Sequence, residues 1–155
     1  MKTKTTITEL SHEDLVNLLS TATYGSSWLS CTIAKATRDR LDIEEEDCRE
    51  DVWAKALLAG DSIYPTDHLA EGCTYGDRGS LTGDKDDSAV YRITLNDVVA
   101  GLQFAMDGDF APNDEDEVEW LAKCVIHLRD GSTEFDNTEA EALMQVIMFG
   151  SIIYG

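Results

Sequence analysis

Carboxylates are the most frequent chemically active groups in this sequence. The chain of 155 residues has 31 acidic and 12 basic residues, which gives a formal net charge of −19. Clustered carboxylates serve metal binding, acid–base catalysis, helix capping or the attraction of a basic partner. Three histidines and four cysteines are the other residues that could do chemistry. The spacing of these residues decides between the four functions.

Two short acidic loops resemble fragments of a calcium-binding loop. One contains Asp84, Asp86 and Asp87, and the other contains Asp107 and Asp109. A calcium loop needs the pattern D-x-[DN]-x-[DN]-G and a glutamate at its twelfth position, and neither loop has it. We therefore expect solvated loops, no metal site and no cofactor.

The histidines and cysteines lack the spacing of a reactive site. Cys31, Cys48, Cys73 and Cys124 contain no C-x-x-C pair, so we expect them to be small apolar fillers. His127 lies about 120° from the centre of the apolar stripe of its predicted helix, which indicates a surface or boundary position. Cys124 faces the core, so the two residues do not form a nucleophile–base pair. No nucleotide-binding, zinc-protease or hydrolase motif occurs, and we expect no enzymatic activity.

The acids at residues 44–51 have a spacing that could imitate a nucleic acid. On one helix, Glu44, Asp47, Glu50 and Asp51 would share a face and place four carboxylates along roughly 10 Å, one per ~2.6 Å, against one per ~1.7 Å of DNA axis. The alternative is that they are ordinary charges at a solvated helix N-terminus. If they mimic DNA, the sequence predicts a main contact surface and a second one that extends it. The main surface comprises Glu44, Glu45, Glu46, Asp47, Glu50 and Asp51, and the second comprises Asp114, Glu115, Asp116 and Glu117.

The sign of the charge limits the partners. A strongly negative surface repels phosphate backbones and anionic lipids, so we expect neither nucleic acid nor membrane as a direct partner. The expected partner is a basic nucleic-acid-binding protein. No apolar run approaches the ~20 residues of a membrane span. Two lysines near the start, Lys2 and Lys4, precede no apolar segment, so we expect no signal peptide and a location in the bacterial cytoplasm.

Apolar spacing predicts the elements that position these residues. Five segments show helical spacing or helix start and stop signals, and each ends at or near a glycine: 11–25, 42–60, 94–108, 113–131 and 138–150. Ser11, Thr94, Asn113 and Thr138 are the predicted caps where an uncharged polar residue begins the helix. Strands are predicted at 69–75 and 89–93, with a polar loop at 79–88. Residues 31–37 fit either a strand or a helix. The result is one α+β domain over residues 1–155, in which about five helices pack with a small antiparallel sheet from the middle third.

The last residues combine a helix containing Gln145 with the ending Phe149-Gly150-Ser151-Ile152-Ile153-Tyr154-Gly155. This ending resembles the F-G-x-I/V-x-Y-G ending of small uncharacterised proteins of phages and mobile elements. Residues 22–28 look like their aromatic turn, and residues 92–98 are similar to their strand-to-helix step. The resemblance implies a phage or mobile-element gene, and small acidic proteins of such genes are often anti-CRISPR or anti-restriction inhibitors.

Charge and resemblance together give the expected function. We expect a stoichiometric inhibitor that binds a CRISPR effector or a restriction nuclease by acidic nucleic-acid mimicry. A structural or adaptor protein that forms a homodimer through its apolar C-terminal tail is one alternative. A small metal-assisted or carboxylate enzyme is the other.

Overall fold

Six helices and four strands make up the part of the chain that the structure, a computed structural model, describes. These residues are 7, 9–24, 26, 28–44, 47–68, 80–85, 88–108, 115–150 and 152. The helices are α1 (His12–Thr23), α2 (Lys35–Arg40), α3 (Arg49–Leu58), α4 (Leu95–Asp107), α5 (Glu115–Asp130) and α6 (Asn137–Phe149). The strands are β1 (Leu29–Thr32), β2 (Tyr64–Asp67), β3 (Ser80–Lys85) and β4 (Ser88–Arg92). The predicted α+β class is confirmed.

The four strands form one antiparallel sheet in the order β1-β2-β4-β3. Strand β4 confirms the strand predicted at 89–93, and β1 followed by α2 answers the open question at 31–37. The polar loop predicted at 79–88 is wrong, because β3 lies there and pairs with β4. Gly83 in β3 is a residue type that is typical of turns. It lies at a register shift of the kind that a β-bulge produces. The strand predicted at 69–75 lies outside the described residues.

Helix α6 is the centre of the helical part. It packs against α1, α4 and α5, and ten of its thirteen residues are buried. A helix that is apolar nearly all round belongs inside a core rather than on its surface. Phe149, at its C-terminal end, joins the helices to the sheet: its ring centroid lies 6.0 Å from that of Trp28 and 5.5 Å from that of Tyr91.

Local capping fixes where three of the helices begin. Ser11 and Asp14 form a reciprocal capping box on α1, and Thr94 and Asp97 form another on α4, as the sequence predicts. The cap predicted at Thr138 is wrong, since Asp136 caps α6 two residues earlier by accepting the backbone N–H of Glu139 at 3.0 Å. The predicted cap Asn113 lies outside the described residues. Among those residues, no helix has both the length and the apolar character needed to cross a bilayer.

Candidate acidic interaction surface

The acidic run at residues 42–51 does not form the long helix that the sequence predicts. Helix α3 begins at Arg49, and Asp42 has φ of 54°, in the left-handed region where the chain turns. The backbone N–H of Glu44 donates to the carboxylate of Asp47 at 2.9 Å. Such local bonds from aspartate compete with the helical backbone and explain the later start. The prediction of one helical face carrying Glu44, Asp47, Glu50 and Asp51 is therefore wrong; Glu45 and Glu46 lie outside the described residues.

Only Glu50 and Asp51 of the main predicted surface lie on α3, in its first turn. Helix α1 packs against α3, and Nε2 of His12 lies 3.0 Å from a carboxylate oxygen of Asp51. Since both residues stand in the first turns of their helices, the two N-terminal ends lie together. The first turn of α1 adds Glu13 and Asp14. These two acids belong to the surface that the sequence analysis assigned to residues 44–51 alone.

The sequence around the start of α3 mixes acidic with basic residues. Residues 35–55 contain eight acidic and five basic residues, a net charge of −3. Lys35, Arg38 and Arg49 are exposed, and Arg40 forms an ion pair with Asp61. The mixture weakens the attraction that this surface can exert on a basic partner.

The second predicted cluster lies at the start of α5 and has a different charge environment. Residues 93–122 contain eight acidic residues and no basic residue. Asp116 and Glu119 are exposed and Glu117 is half-buried, while Trp120 packs against the core. Asp114 lies outside the described residues. We call residues 115–119 the α5 acidic turn.

The two clusters do not extend one another. The last residues of α5, Leu128 to Asp130, and Gly131 after them line a groove of about 600 Å³ with α1 and its cap residue Ser11. The N-terminal end of α1 is the end that contacts α3. The α5 acidic turn therefore lies at the far end of α5, about 20 Å along its axis at ~1.5 Å per residue. The main and second predicted surfaces are therefore two separate acidic sites.

His127 on α5 has carboxylates at both ring nitrogens. Its Nδ1 lies 2.8 Å from Oε1 of Glu139, and its Nε2 lies 3.1 Å from Oε2 of Glu134. The side chain of His127 is 24% exposed, so its predicted boundary position is confirmed. The hydrogen bond with Glu139 is the largest cause that raises the pKa of His127, and Coulomb attraction to Glu139 and Glu134 acts in the same direction against partial burial. We call His127, Glu134 and Glu139 the histidine cluster.

The sequence does not predict the histidine cluster. One feature of the sequence points weakly to it. Glu139 has an acidic side chain in a helix of which ten of thirteen residues are buried, with Ala140, Ala142 and Leu143 next to it. A buried acid needs a donor, and His127 on the preceding helix is one that lies close enough. The separation of twelve residues hides the pair from any helical spacing rule.

The described cysteines differ in their surroundings. Cys124 is buried, as the filler interpretation predicts, and burial followed by the nearby Glu139 carboxylate raises the pKa of its thiol. Burial raises the pKa of the Cys31 thiol to about 12. Cys48 is exposed just before α3, so the filler prediction is wrong there. Cys73 lies outside the described residues.

The apolar tail is described at one position beyond α6. Ile152 is half-buried and packs against the core of its own chain. A homodimer that uses this tail gains no support from that contact. Residues 153–155 lie outside the described residues.

The described residues contain no group of three or more histidine, cysteine, aspartate or glutamate side chains arranged to hold a metal ion.

Comparison with known proteins gives no match to a family model, a curated protein or a solved structure.

Proposed function

We propose that this protein is a stoichiometric inhibitor that occupies the nucleic-acid site of a basic protein through its acidic surface. The observation that carries the proposal is the charge of residues 93–155, which contain thirteen acidic and two basic residues, a net of −11. A field of one sign attracts a basic channel over a long range and raises the rate of encounter.

The α5 acidic turn is the better contact of the two acidic sites. Asp116 and Glu119 lie one turn apart on a helix, so their Cα atoms are separated by ~4.5 Å along the axis, close to the ~3.4 Å between charges on one DNA strand. The packing of Trp120 and Leu121 against the core holds this helix in place. Glu50 and Asp51 on α3 make a second contact, which is weaker because residues 35–55 contain five basic residues beside their eight acidic ones.

The class of target comes from the resemblance of the C-terminal ending. A phage or mobile-element protein meets CRISPR effectors and restriction nucleases in the cytoplasm of its host, and both are basic proteins with a nucleic-acid channel. We propose this class as the target. The acidic excess supports the choice because such a channel neutralises phosphates with lysine and arginine.

The experiment compares two triple charge reversals that change the net charge equally. One variant carries Asp116→Lys, Glu117→Lys and Glu119→Lys, and the control carries Glu9→Lys, Asp39→Lys and Asp130→Lys, at exposed positions outside the α5 acidic turn. Tagged protein is first used to capture partners from bacterial lysate at low and high salt. A captured nucleic-acid-binding protein is then tested for competition between each variant and a labelled DNA duplex, since salt screens a mimic as it screens DNA.

The α5 variant should lose competition while the control keeps most of it. Exposed ion pairs contribute ~0–1 kcal/mol each, and reversal adds repulsion, so three reversals should cost about 3 kcal/mol, roughly 100-fold in affinity. Circular dichroism and thermal unfolding check that the variant folds, because lysine at a helix N-terminus is unfavourable. Full competition by the α5 variant would contradict the proposed contact. Equal loss in both variants would show that only net charge matters.

A further inference from the structure

The geometry of the histidine cluster favours a doubly protonated imidazole. Nδ1 of His127 is hydrogen-bonded to Glu139 at 2.8 Å, and Nε2 lies 3.1 Å from a carboxylate oxygen of Glu134. A neutral histidine has one ring N–H and one acceptor nitrogen, so it would turn a lone pair toward one of these carboxylates, whereas the imidazolium turns an N–H toward both. The raised pKa of His127 agrees with this geometry.

The charge of His127 matters for stability because its partner Glu139 is a buried carboxylate. Glu139 is only 8% exposed and stands in the first turn of α6, three residues after the cap residue Asp136. A buried carboxylate that loses its cation is strongly unfavourable. The thiol of Cys124 also lies at this carboxylate, but its own pKa is raised, so it contributes a hydrogen bond and no charge. His127 is therefore the cation that compensates the buried carboxylate in the first turn of α6.

Other charged groups near α5 are committed elsewhere or add to the same effect. Asp130, on α5 itself, raises the pKa of His127 further. From α4, Asp97 is held in a capping box, and Asp107 accepts from Gln103 at 3.0 Å. From α1, Glu13 and Asp14 line the groove opposite Arg129 in the last turn of α5. The remaining charged groups are Glu134 and Asp136 in the loop between α5 and α6, and Glu141 on α6.

We propose that His127 is a protonation-controlled clamp between α5 and α6. As an imidazolium it holds the buried Glu139 and the exposed Glu134 together. When it loses the proton on Nε2, Nδ1–H can still donate to Glu139, but the buried carboxylate loses its cation, and the first turn of α6 is held less tightly against α5. The clamp goes beyond the proposed inhibitor function and does not depend on it.

The direction of the pH effect follows from linkage. His127 has a higher pKa in the folded chain than its ordinary value of 6.5, so its contribution to stability is fully present below that value. The contribution disappears as the pH rises through the folded pKa. Mild alkalinity, rather than acid, opens the clamp.

Three measurements test the clamp. The imidazole of His127 is titrated by NMR in the wild-type protein and in Glu139→Gln. The melting temperatures of wild type and His127→Gln are compared from about pH 6 to about pH 9, because glutamine keeps a donor but carries no charge. Amide exchange in residues 137–141, corrected for its intrinsic pH dependence, reports opening of the first turn of α6.

His127 should titrate above 6.5 in wild type and at a lower pH in Glu139→Gln. The wild-type protein should melt higher than His127→Gln at low pH, and the gap should close as the pH rises. His12→Gln is the control, since it removes an exposed pair with Asp51. A gap that does not change with pH, or a His127 that titrates at or below its ordinary value, overturns the proposal. If His127→Gln does not fold, the wild-type titration and exchange decide alone.

Discussion

Replacing Gly101 with alanine should destabilise the protein, although helix propensity predicts the reverse. Gly101 is buried in α4, where a Cβ atom would lie 2.5 Å from Cγ1 and 2.8 Å from Cα of Ile147 on α6. Alanine in a helix interior gains about 1 kcal/mol over glycine. Overpacking costs roughly 1–3 kcal/mol. We expect the upper end, because Cα belongs to the backbone and cannot rotate away, which leaves a net loss of about 2 kcal/mol.

Urea unfolding followed by tryptophan fluorescence measures this loss. With a denaturant slope of about 1–3 kcal/mol per M, the midpoint should fall by about 1 M. The matched control is Ala100→Gly, at the exposed neighbouring position, which should lose only the propensity difference of about 1 kcal/mol. If Gly101→Ala unfolds at or above the wild-type midpoint, α4 and α6 do not approach as closely as the structure has them.

Two further predictions test the helix caps and the cysteines. Ser11→Ala and Thr94→Ala should each cost ~1 kcal/mol, while the corresponding glycine variants cost a few tenths, which urea unfolding measures; equal stability of alanine variant and wild type would contradict the capping boxes. In a Cys73→Ser background near pH 8, iodoacetamide should modify Cys48 and leave Cys31 and Cys124 unmodified until denaturant is added, because the thiolate is the reactive form. Peptide mapping by mass spectrometry reads the sites, and native labelling of Cys124 would show that its burial is wrong.

Local signals in the sequence are enough to predict the helices α1, α4 and α5. Their apolar stripes repeat every three to four residues, and in α1 and α4 the cap lies three residues from its own partner. The start of α6 was misplaced because Asp136 and Thr138 are both good cap residues, and only the backbone geometry distinguishes them. The start of α3 was misplaced because aspartate and glutamate suit both a helix N-terminus and a turn.

The sheet and the histidine cluster depend on contacts that no local pattern encodes. Strand β2 has four residues including Pro65, and it pairs with β1 and β4, which are distant in sequence. The angle of His127 on its helix predicts its partial exposure correctly. It does not predict which side chains contact the imidazole. Its partner Glu139 comes from α6, whose position is set by packing against three other helices.

Capping and mimicry make different demands on the acids at the start of α5. A helix N-terminus carries about half a unit of positive charge, which one carboxylate already compensates. In helices α1, α4 and α6 one aspartate makes the cap contact, namely Asp14, Asp97 and Asp136, and at most one further acid, Glu13 in α1 or Glu139 in α6, lies in the first turn. The start of α5 has Glu115, Asp116, Glu117 and Glu119 within five residues, and like charges at this spacing repel one another. The surplus opposes folding unless cations approach it, which is why we assign the partner to the α5 acidic turn rather than to the caps.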